Sequence, residues 1–417
     1  MNENPKVLIS GASIAGPALA YWLGRYGWRS TVVERASEFR DGGQNIDVRG
    51  AGREVLRRAG LEDAVRRANT GEVGTRFLGS GGSIVAEFPV RASESGGATA
   101  ELEILRGDLA RILVDASVAG DLTDYLYGDQ IAGIVEGEDD VEVTFESGEQ
   151  RRFDLVVAAD GMRSSTRELV FGGEASVHPL GMETSYFTVP RTATDTPWWN
   201  WYNEAGGLAV TLRPDQHGTT RATLSSISYG KVGGSGRSGA VDARSERRTA
   251  AEQRARLREQ FRDVGWEAPR LLDALDDASD LYFESIGQVK APHWSRGRVA
   301  LAGDAAWCAS PVSGMGTSLS IVGAYVLAGE LASHVHHRDA FAGYERIMRP
   351  YVDQAQQLPP GVPRVANPRT RAGLAALHVA LRAASTPLVG KLGAKLFAPP
   401  ADRIELPDYA HLERGRA

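Results

Sequence analysis

Three short runs along the chain are strand-like, two near its start and a third far downstream. The runs are 6–10, 30–34 and 298–301. The first and third are continuously apolar apart from their end residues, and the second, Ser-Thr-Val-Val-Glu, ends in a carboxylate. Residues 17–26 between the first two carry apolar side chains at helical spacing. A strand buried on both faces shows such a continuous run, whereas a half-buried strand alternates. The first two runs therefore predict a strand–helix–strand unit of about thirty residues within a parallel sheet. The third predicts one more buried strand.

The segments between these runs differ in hydrophobic pattern and in composition. Runs 207–212 and 222–229 have the strand-like pattern of an antiparallel sheet, and residues 231–248 are rich in Gly, Ser and Arg, which predicts a loop. Helical spacing recurs elsewhere in the chain, at residues 53–69 (broken at Gly60), 106–118, 250–261, 317–334, 340–357 and 374–397 (interrupted at Pro387). Further strands are predicted at 131–135, 141–145 and 154–158.

These patterns predict an α/β chain in which a Rossmann-like nucleotide-binding domain is interrupted twice by a β-rich domain. The nucleotide-binding domain is expected to comprise residues 1–72, 99–177 and 285–358. The β-rich domain is expected to comprise 73–98 and 178–284, and a helical tail, 359–417, follows.

Length and composition describe an enzyme-sized globular protein. The chain has 417 residues, of which 42% are hydrophobic and 24% charged, as in ordinary soluble proteins. Its 47 basic and 53 acidic residues give a formal net charge of −6. The chain therefore lacks the excess of positive charge that is typical of nucleic-acid-binding proteins. The single cysteine, Cys308, excludes an intrachain disulfide, and no stretch reaches the roughly eighteen apolar residues of a membrane span. We expect a cytoplasmic protein without a signal peptide, a monomer or homodimer, that binds neither nucleic acid nor membrane.

The turn after the first strand has the pattern of a dinucleotide-binding loop. Gly11-Ala-Ser-Ile-Ala-Gly16 follows a strand and precedes a helix, which is the context that this motif requires. The N–H groups of a helix N-terminus bind a pyrophosphate, and Glu34 follows about twenty residues on, where a carboxylate bonds ribose hydroxyls. Ser13 replaces the middle glycine of the motif. The alternative is a tight turn that binds nothing.

A second signature, Ala302-Gly-Asp-Ala-Ala306, follows the strand predicted at 298–301. A lone aspartate in this place is usually a helix N-cap. Pro311, Gly314 and Gly316 indicate a binding site rather than an N-cap alone, because with them the loop must pass close under a flat group. The helix that follows would point its N-terminus at that group, and a reduced flavin carries negative charge at one edge. Two distant signatures indicate a long cofactor that is held at both ends, and hence FAD.

Both signatures, together with Asp154-Leu-Val-Val-Ala-Ala-Asp-Gly-Met-Arg-Ser-Ser165, resemble those of the class A FAD-dependent aromatic hydroxylases, the p-hydroxybenzoate hydroxylase superfamily. The resemblance covers nearly the whole chain, and its length and tail are similar to those of tetracycline destructases. It implies the p-hydroxybenzoate hydroxylase fold, with FAD in the Rossmann-like domain and substrate on the β-rich domain. It also implies a C-terminal helix that bridges the two domains, where a membrane-surface helix is the alternative.

The resemblance also implies roles for single residues. By position, Glu34 resembles a ribose ligand, Arg106 a flavin-contacting arginine, and Asp304 the carboxylate on the ribityl chain. Asp47 aligns with an FAD-contacting aspartate of the destructases. The full set implied to bind FAD is Gly11, Ser13, Ile14, Ala15, Gly16, Glu34, Arg35, Asp47, Arg106, Asp160, Gly303, Asp304, Pro311, Gly314 and Gly316. Arg40 and Arg163 are implied to contact NADPH, and Gly314, Met315 and Gly316 to lie near the isoalloxazine ring.

The activity that the resemblance implies is that of a single-component monooxygenase. NADPH, or NADH, would reduce FAD, and O2 would form a C4a-hydroperoxide that hydroxylates an aromatic or polycyclic polyketide-type small molecule. The chain shows no second dinucleotide loop, which agrees with transient docking of the nicotinamide. Epoxidation and Baeyer–Villiger insertion are not distinguished from hydroxylation, and no catalytic base is assigned. Two alternatives stay open: a flavin-dependent reductase or dehydrogenase on the same scaffold, and a non-catalytic flavoprotein that sequesters a reactive intermediate.

Three other features invite different interpretations. The run Trp198-Trp-Asn-Trp-Tyr202 resembles the paired-tryptophan motif of flavin-dependent halogenases. The Ile-Pro and the lysine of those enzymes are absent, so a strand of the β-rich domain is expected. It serves either plain sheet packing or an aromatic pocket. His334, His336 and His337 have spacing unlike a zinc site, and we expect no metal. Cys308 is expected to be a small buried residue rather than a nucleophile.

Overall fold

The computed structural model describes residues 5–90, 102–227, 249–359, 361–386 and 403–413. The loop predicted at 231–248 and the helical pattern beyond residue 386 lie outside the described residues. The strands are β1 (Lys6–Ser10), β2 (Arg29–Glu34), β3 (Asn45–Val48), β4 (Gly74–Leu78), β5 (Ile84–Pro89), β6 (Leu102–Leu105), β7 (Thr123–Tyr127), β8 (Ile131–Glu136), β9 (Val141–Phe145), β10 (Gln150–Phe153), β11 (Leu155–Ala158), β12 (Ser176–Pro190), β13 (Trp199–Glu204), β14 (Leu208–Pro214), β15 (Thr219–Ile227), β16 (Tyr282–Lys290), β17 (Ser295–Arg296) and β18 (Val299–Leu301).

The helices confirm the helical spacing of the sequence. The break predicted at Gly60 separates two helices, and Gly60 has φ +72°, a left-handed C-cap. The helices are α1 (Ala15–Arg25), α2 (Gly50–Ala59), α3 (Glu62–Arg67), α4 (Arg106–Val118), α5 (Ser165–Phe171), α6 (Ala250–Phe261), α7 (Ala268–Asp273), α8 (Asp304–Trp307), α9 (Gly316–Ser333), α10 (His337–Gln356), α11 (Val362–Ala366) and α12 (Arg371–Ala384). Among the helices described, none is long and apolar enough to cross a membrane.

A six-stranded sheet brings the distant apolar runs together. Its order is β17-β18-β11-β1-β2-β7, and β1 pairs in parallel with both β2 and β11. Ser10 lies opposite Ala158, and Ala158 lies opposite Leu301, so β1, β11 and β18 end at one level. Loops that follow the carboxyl ends of parallel strands form the ligand crevice of such sheets. Both glycine signatures therefore start at the same edge.

A seven-stranded sheet, in the order β16-β12-β15-β14-β13-β4-β5, forms the β-rich layer. It combines strands from 74–89 with strands from 176–227 and 282–290, as two insertions would. The boundary predicted at residue 284 differs from the structure, because β16 continues to Lys290. That residue still pairs with Ser176 at the start of β12.

The two faces of this sheet differ in chemistry. The outer face carries Phe187, Val210 and Leu224, which pack on Phe261 of α6 and Leu271 of α7 as an apolar core. The inner face, as we use the term, carries the alternate residues, which are mostly hydroxyl-bearing, charged or aromatic. Its members are Thr75, Phe77, Thr184, Tyr186, Trp199, Trp201, Thr211, Arg213, Thr223, Ser225, Tyr282 and Glu284.

The C-terminal tail contacts both layers through two separate segments. The helix α12 packs on β5 and β13 of the seven-stranded sheet. Further on, Tyr409 packs on Tyr325 of α9 and donates a 2.6 Å hydrogen bond to Glu330. Within the described residues, the contacts to the nucleotide-binding layer come from residues 404–412, so the described tail touches both layers. The predicted helix continues beyond residue 386 outside the described residues, and its packing on both domains stays a prediction.

Candidate active site

The first glycine loop is built by close backbone packing. Gly11 has φ +106°, and a Cβ there would lie 2.5 Å from the carbonyl oxygen of Ala159. Only glycine fits such an approach between the loop and the end of β11. The helix α1 starts at Ala15 directly behind the loop, so its free N–H groups face the crevice.

Glu34 occupies the ribose position and also holds the loop. Its Oε2 accepts a 3.0 Å hydrogen bond from the N–H of Ala12, and its Oε1 accepts one of 3.0 Å from the N–H of Ala36. A carboxylate has about four lone-pair sites. Acceptor capacity therefore remains for a ribose hydroxyl pair while the carboxylate is fixed by the backbone.

The second signature lies directly against the first. Gly303 has φ +58°, and a Cβ there would lie 2.8 Å from the Cβ of Ala15. The backbone is strained at Ser310, a residue other than glycine with φ +75°. Met315 is fully buried as the N-cap of α9, and a Cβ on Gly316 would lie 4.0 Å from Oδ1 of Asp304. Asp304 of the second signature thus lies beside the N-terminus of α9.

The groups around Asp304 are those expected of a polar cofactor site. Burial raises the pKa of Asp304, while a hydrogen bond with Cys308 and the charge of Arg106 oppose the rise. Within the described part of the chain, Nε of Arg106 and Oδ1 of Asp47 are buried and have no hydrogen-bond partner. Buried polar atoms are rarely left so, because each costs desolvation energy. A bound ligand with donors and acceptors would satisfy both atoms.

Asp47 is held by the strand that forms the back of the site. Oδ2 of Asp47 accepts a 2.8 Å hydrogen bond from Arg49, and the N–H of Arg49 donates a 2.9 Å bond to Ser318 of α9. The edge strand β3 is thereby tied to the first turn of α9. Arg106 acts electrostatically on Asp304 in this cleft, and the FAD contacts of Asp47, Arg106 and Asp304 stay predictions.

Asp160 has a visible structural role. Its Oδ2 accepts hydrogen bonds from the N–H and the hydroxyl of Thr166, at 3.2 and 3.0 Å, and its Oδ1 accepts one from Ser164. The carboxylate therefore orders the turn into α5. Arg163 on that turn is exposed and acts electrostatically on Tyr282 and Glu284 of the inner face. The structure thus brings Arg163 to the cleft that Arg106 lines.

The remaining predicted residues divide by burial. Ile14, Ala15 and Gly16 are buried beneath the first loop, and Ser13, Gly314 and Gly316 are half-buried at the crevice. Arg35, Arg40 and Pro311 are exposed. The positive charge of Arg35 opposes the rise in the pKa of Tyr282 that burial causes. The NADPH contact of Arg40 stays a prediction.

Cys308 behaves as a buried thiol. It is 4% exposed, its Sγ lies 3.6 Å from the carbonyl oxygen of Gly287, and burial raises its pKa well above the usual range. A nucleophilic cysteine needs its thiolate form. The expectation of a small buried residue is confirmed.

Sequence reasoning considered residues 198–202 as an aromatic pocket but missed the polar side chains of the inner face, which lies on the other side of the cleft. Two pairs of hydroxyl groups are hydrogen-bonded between neighbouring strands on this face. The hydroxyl oxygens of Thr184 and Ser225 lie 3.0 Å apart, and those of Thr211 and Thr223 lie 2.6 Å apart. The indole rings of Trp199 and Trp201 lie 5.1 Å apart. The only available signal was the alternation of polar with apolar residues along β12, β14 and β15.

A buried charge cluster joins the inner face to the cofactor layer. Arg213 lies 4.1 Å from the ring centre of Trp199, and its nitrogens lie 2.8 Å from Glu72 and 2.9 Å from Glu103 of β6. Burial raises the pKa of both carboxyls against the opposing charge of Arg213. Two carboxyls share one guanidinium here, so the cluster favours retention of a proton.

Comparison with known proteins identifies the fold that this geometry belongs to. A family model described as an FAD binding domain matches residues 4–358. The chain is also 38% identical to a flavin-dependent monooxygenase of an unknown prokaryotic organism, over 85% of this chain and 89% of that protein. The chain belongs to the class A FAD-dependent monooxygenases. The expected cofactor FAD and the p-hydroxybenzoate hydroxylase fold are thereby confirmed.

Two further relatives of this class A monooxygenase match over nearly its full length. It is 34% identical to the flavin-dependent monooxygenase eupH of Phoma sp over 97% of each chain. The crystal structure of tetracycline destructase Tet(51) matches it with a TM-score of 0.78 at 30% identity, covering 98% of this chain and 100% of that one. The monooxygenase therefore shares the whole architecture, including the β-rich layer.

Proposed function

We propose that this monooxygenase consumes NADPH or NADH and O2 to hydroxylate an aromatic or polycyclic polyketide-type small molecule. The observation that carries the proposal is the chemistry of the inner face. Hydroxyls, indoles and charged groups lie on this face, where Glu284 and Tyr186 are near Arg106, while the apolar residues of the same strands form the opposite face. Such a surface suits a flat, oxygen-rich molecule rather than an aliphatic one.

The aromatic part of the inner face supports a planar substrate. Phe77 and Trp201 are stacked with ring centres 5.9 Å apart, and Trp199 adjoins them. Offset stacking stabilises aromatic pairs by roughly 0.5–1.5 kcal/mol beyond their burial. In keeping with this, the structural relative Tet(51) is a tetracycline destructase, and its name points to a polycyclic substrate.

The predicted cofactor residues would each hold a different part of FAD. The loop at Gly11 and the start of α1 would hold the pyrophosphate, Glu34 a ribose, and Asp304 the ribityl chain, with Arg106 beside the flavin. FAD, when bound, supplies the electron-transfer and oxygen-transfer chemistry. The protein positions the substrate against the ring and excludes water from the cleft. Arg163 and Arg40 would meet the nicotinamide cofactor transiently.

The test begins with the purified protein. We expect a yellow flavoprotein, or a colourless one that FAD restores, whose NADPH oxidation rises with some members of a panel of phenols and aromatic polyketides. Mass spectrometry under ¹⁸O2 should then show one labelled oxygen atom in the product. Product formed without O2 would indicate the reductase or dehydrogenase alternative. Failure of the whole panel to stimulate a flavin-loaded protein would contradict the proposal.

A further inference from the structure

Glu284 is an acidic residue in the cleft that the cofactor assignments leave unused. It lies on β16 opposite Thr184, and the neighbouring pair on the same face is Tyr282 opposite Tyr186, with ring centres 6.3 Å apart. The residue between them on β16, Phe283, points to the outer face, where it lines a small cavity beside α6. Strand alternation therefore directs the Glu284 side chain toward the cofactor layer.

The surroundings of Glu284 come from four separate elements. Asp304 acts on it from α8, Arg106 from α4 and Arg163 from the turn before α5, and Glu284 in turn acts on Cys308 in the loop after α8. Tyr186 and Tyr282 flank it on the sheet, and Arg35 faces Tyr282. Among the described residues, no hydrogen bond or ion pair engages the Glu284 carboxylate.

This arrangement is unlike that of a structural carboxylate. Glu183, one strand away on the outer face, forms an ion pair with Arg256. Glu284 is half-buried and open to the cleft instead. Burial, reinforced by the charge of Asp304, raises the pKa of Glu284 to about 7 against the opposing charges of Arg106 and Arg163. A base whose pKa lies near the working pH transfers protons efficiently.

We propose that Glu284 is the proton acceptor of the substrate cleft, taking the proton of a hydroxyl carried by the aromatic substrate. This role rests on the function proposed above. In the step, the O–H bond of the substrate breaks, a new O–H bond forms on the Glu284 carboxylate, and the electron pair stays on the substrate oxygen. The resulting phenolate or enolate ring is richer in electrons and reacts more readily with an electrophilic oxygen. After oxygen transfer the proton returns to the product, so the step consumes nothing.

The experiment uses the FAD-loaded protein and the best phenolic substrate from the panel. Glu284→Gln keeps the shape of the side chain but cannot take up a proton. We expect product formation to slow by about a hundredfold or more, with the acid limb near pH 7 lost from the pH–rate profile and FAD occupancy unchanged. Glu284→Asp should restore part of the rate and an acid limb. The matched control is Glu183→Gln, which should keep the wild-type profile.

A second measurement does not depend on turnover. The ultraviolet difference spectrum of bound substrate reports its phenolate fraction, and we expect that fraction to fall in Glu284→Gln at pH 8 and to stay unchanged in Glu183→Gln. Wild-type phenolate fraction and acid limb in Glu284→Gln would overturn the role of Glu284 while leaving the monooxygenase function intact. A panel in which nothing stimulates NADPH oxidation would instead refute the proposed function, and the role of Glu284 with it.

Discussion

The two faces of the seven-stranded sheet come from the same strands but have opposite surroundings. On the outer face Phe187 and Leu224 pack on α6 and α7 and exclude water. On the inner face Tyr186 and Thr223, the next residues along those strands, face the layer that carries Asp304. Both faces are largely covered, yet only one is apolar.

The difference indicates what each face is for. A buried hydroxyl or charge costs free energy unless it finds a partner, so a sheet selected for packing alone would be apolar on both covered faces. The inner face pairs some hydroxyls across strands, such as Thr211 with Thr223, and presents others to the cleft. The outer face therefore supplies stability, and the inner face supplies recognition.

The largest expected effect comes from a cavity on the outer face. Phe261 is 1% exposed at the centre of the apolar core, and Phe261→Ala should lower the free energy of unfolding by about 3–5 kcal/mol. Urea denaturation measures the loss. Substrate-stimulated NADPH oxidation per folded molecule should stay at the wild-type level. A large fall in that rate for protein that is still folded would contradict the conclusion that the outer face supplies stability and the inner face recognition.

A smaller effect is expected where the inner face meets the cofactor. Asp304→Ala should leave the fold intact and weaken FAD binding by about 1.5–3 kcal/mol, the usual value of a hydrogen bond to a charged group. Flavin fluorescence during titration of the apoprotein measures this, and circular dichroism checks the fold. Unchanged FAD affinity would refute the ribityl assignment.

The smallest effect, taken over one pH unit, concerns the buried cluster of Glu72, Glu103 and Arg213. The pKa of Glu72 and of Glu103 is raised by burial in the folded state, so the folded protein retains a proton that the unfolded chain releases above about pH 4.5. The stability contributed by this proton is full at low pH and is lost as pH rises through the raised pKa. The free energy of unfolding should thus fall as pH rises from about 4.5 to about 8, with a slope of up to about 1.4 kcal/mol per pH unit.

Glu72→Gln provides the control for that pH dependence. It leaves Glu103 and Arg213 as a pair of opposite charges. The fall in the free energy of unfolding with rising pH should therefore become shallower when urea denaturation is repeated across the pH range. An equally steep fall in the variant would assign the dependence to other groups.

Much of the fold could be predicted from local pattern. The strands β1, β2 and β18 appear where strand-like runs predicted them, and α4 spans Arg106–Val118 as expected. Such signals are local, because burial on both faces of a strand leaves few polar positions. The domain boundary predicted at residue 284 falls inside β16, whose last residues are kept in the sheet by pairing with the distant start of β12.

The candidate site could be predicted only in part. Glu34 and Asp304 belong to motifs whose spacing indicates a cofactor, whereas the role of Arg106 was implied only by resemblance to the family. Glu284 and Arg213 belong to no motif, and their neighbours Asp304 and Glu103 come from remote segments. A side chain whose role depends on partners in other strands leaves no signature in its own stretch of sequence.

By itself, the sequence determined that a βαβ unit and a distant Gly-Asp loop hold one long cofactor, because strand burial and loop geometry are encoded within a few consecutive residues. Only the tertiary structure decided which face of the β-rich sheet meets that cofactor. The period of two along a strand separates the faces but does not say which one is covered by which layer. That choice places Glu284 and Tyr186 near Arg106, Arg213 beside Glu103, and Phe261 against the opposite side.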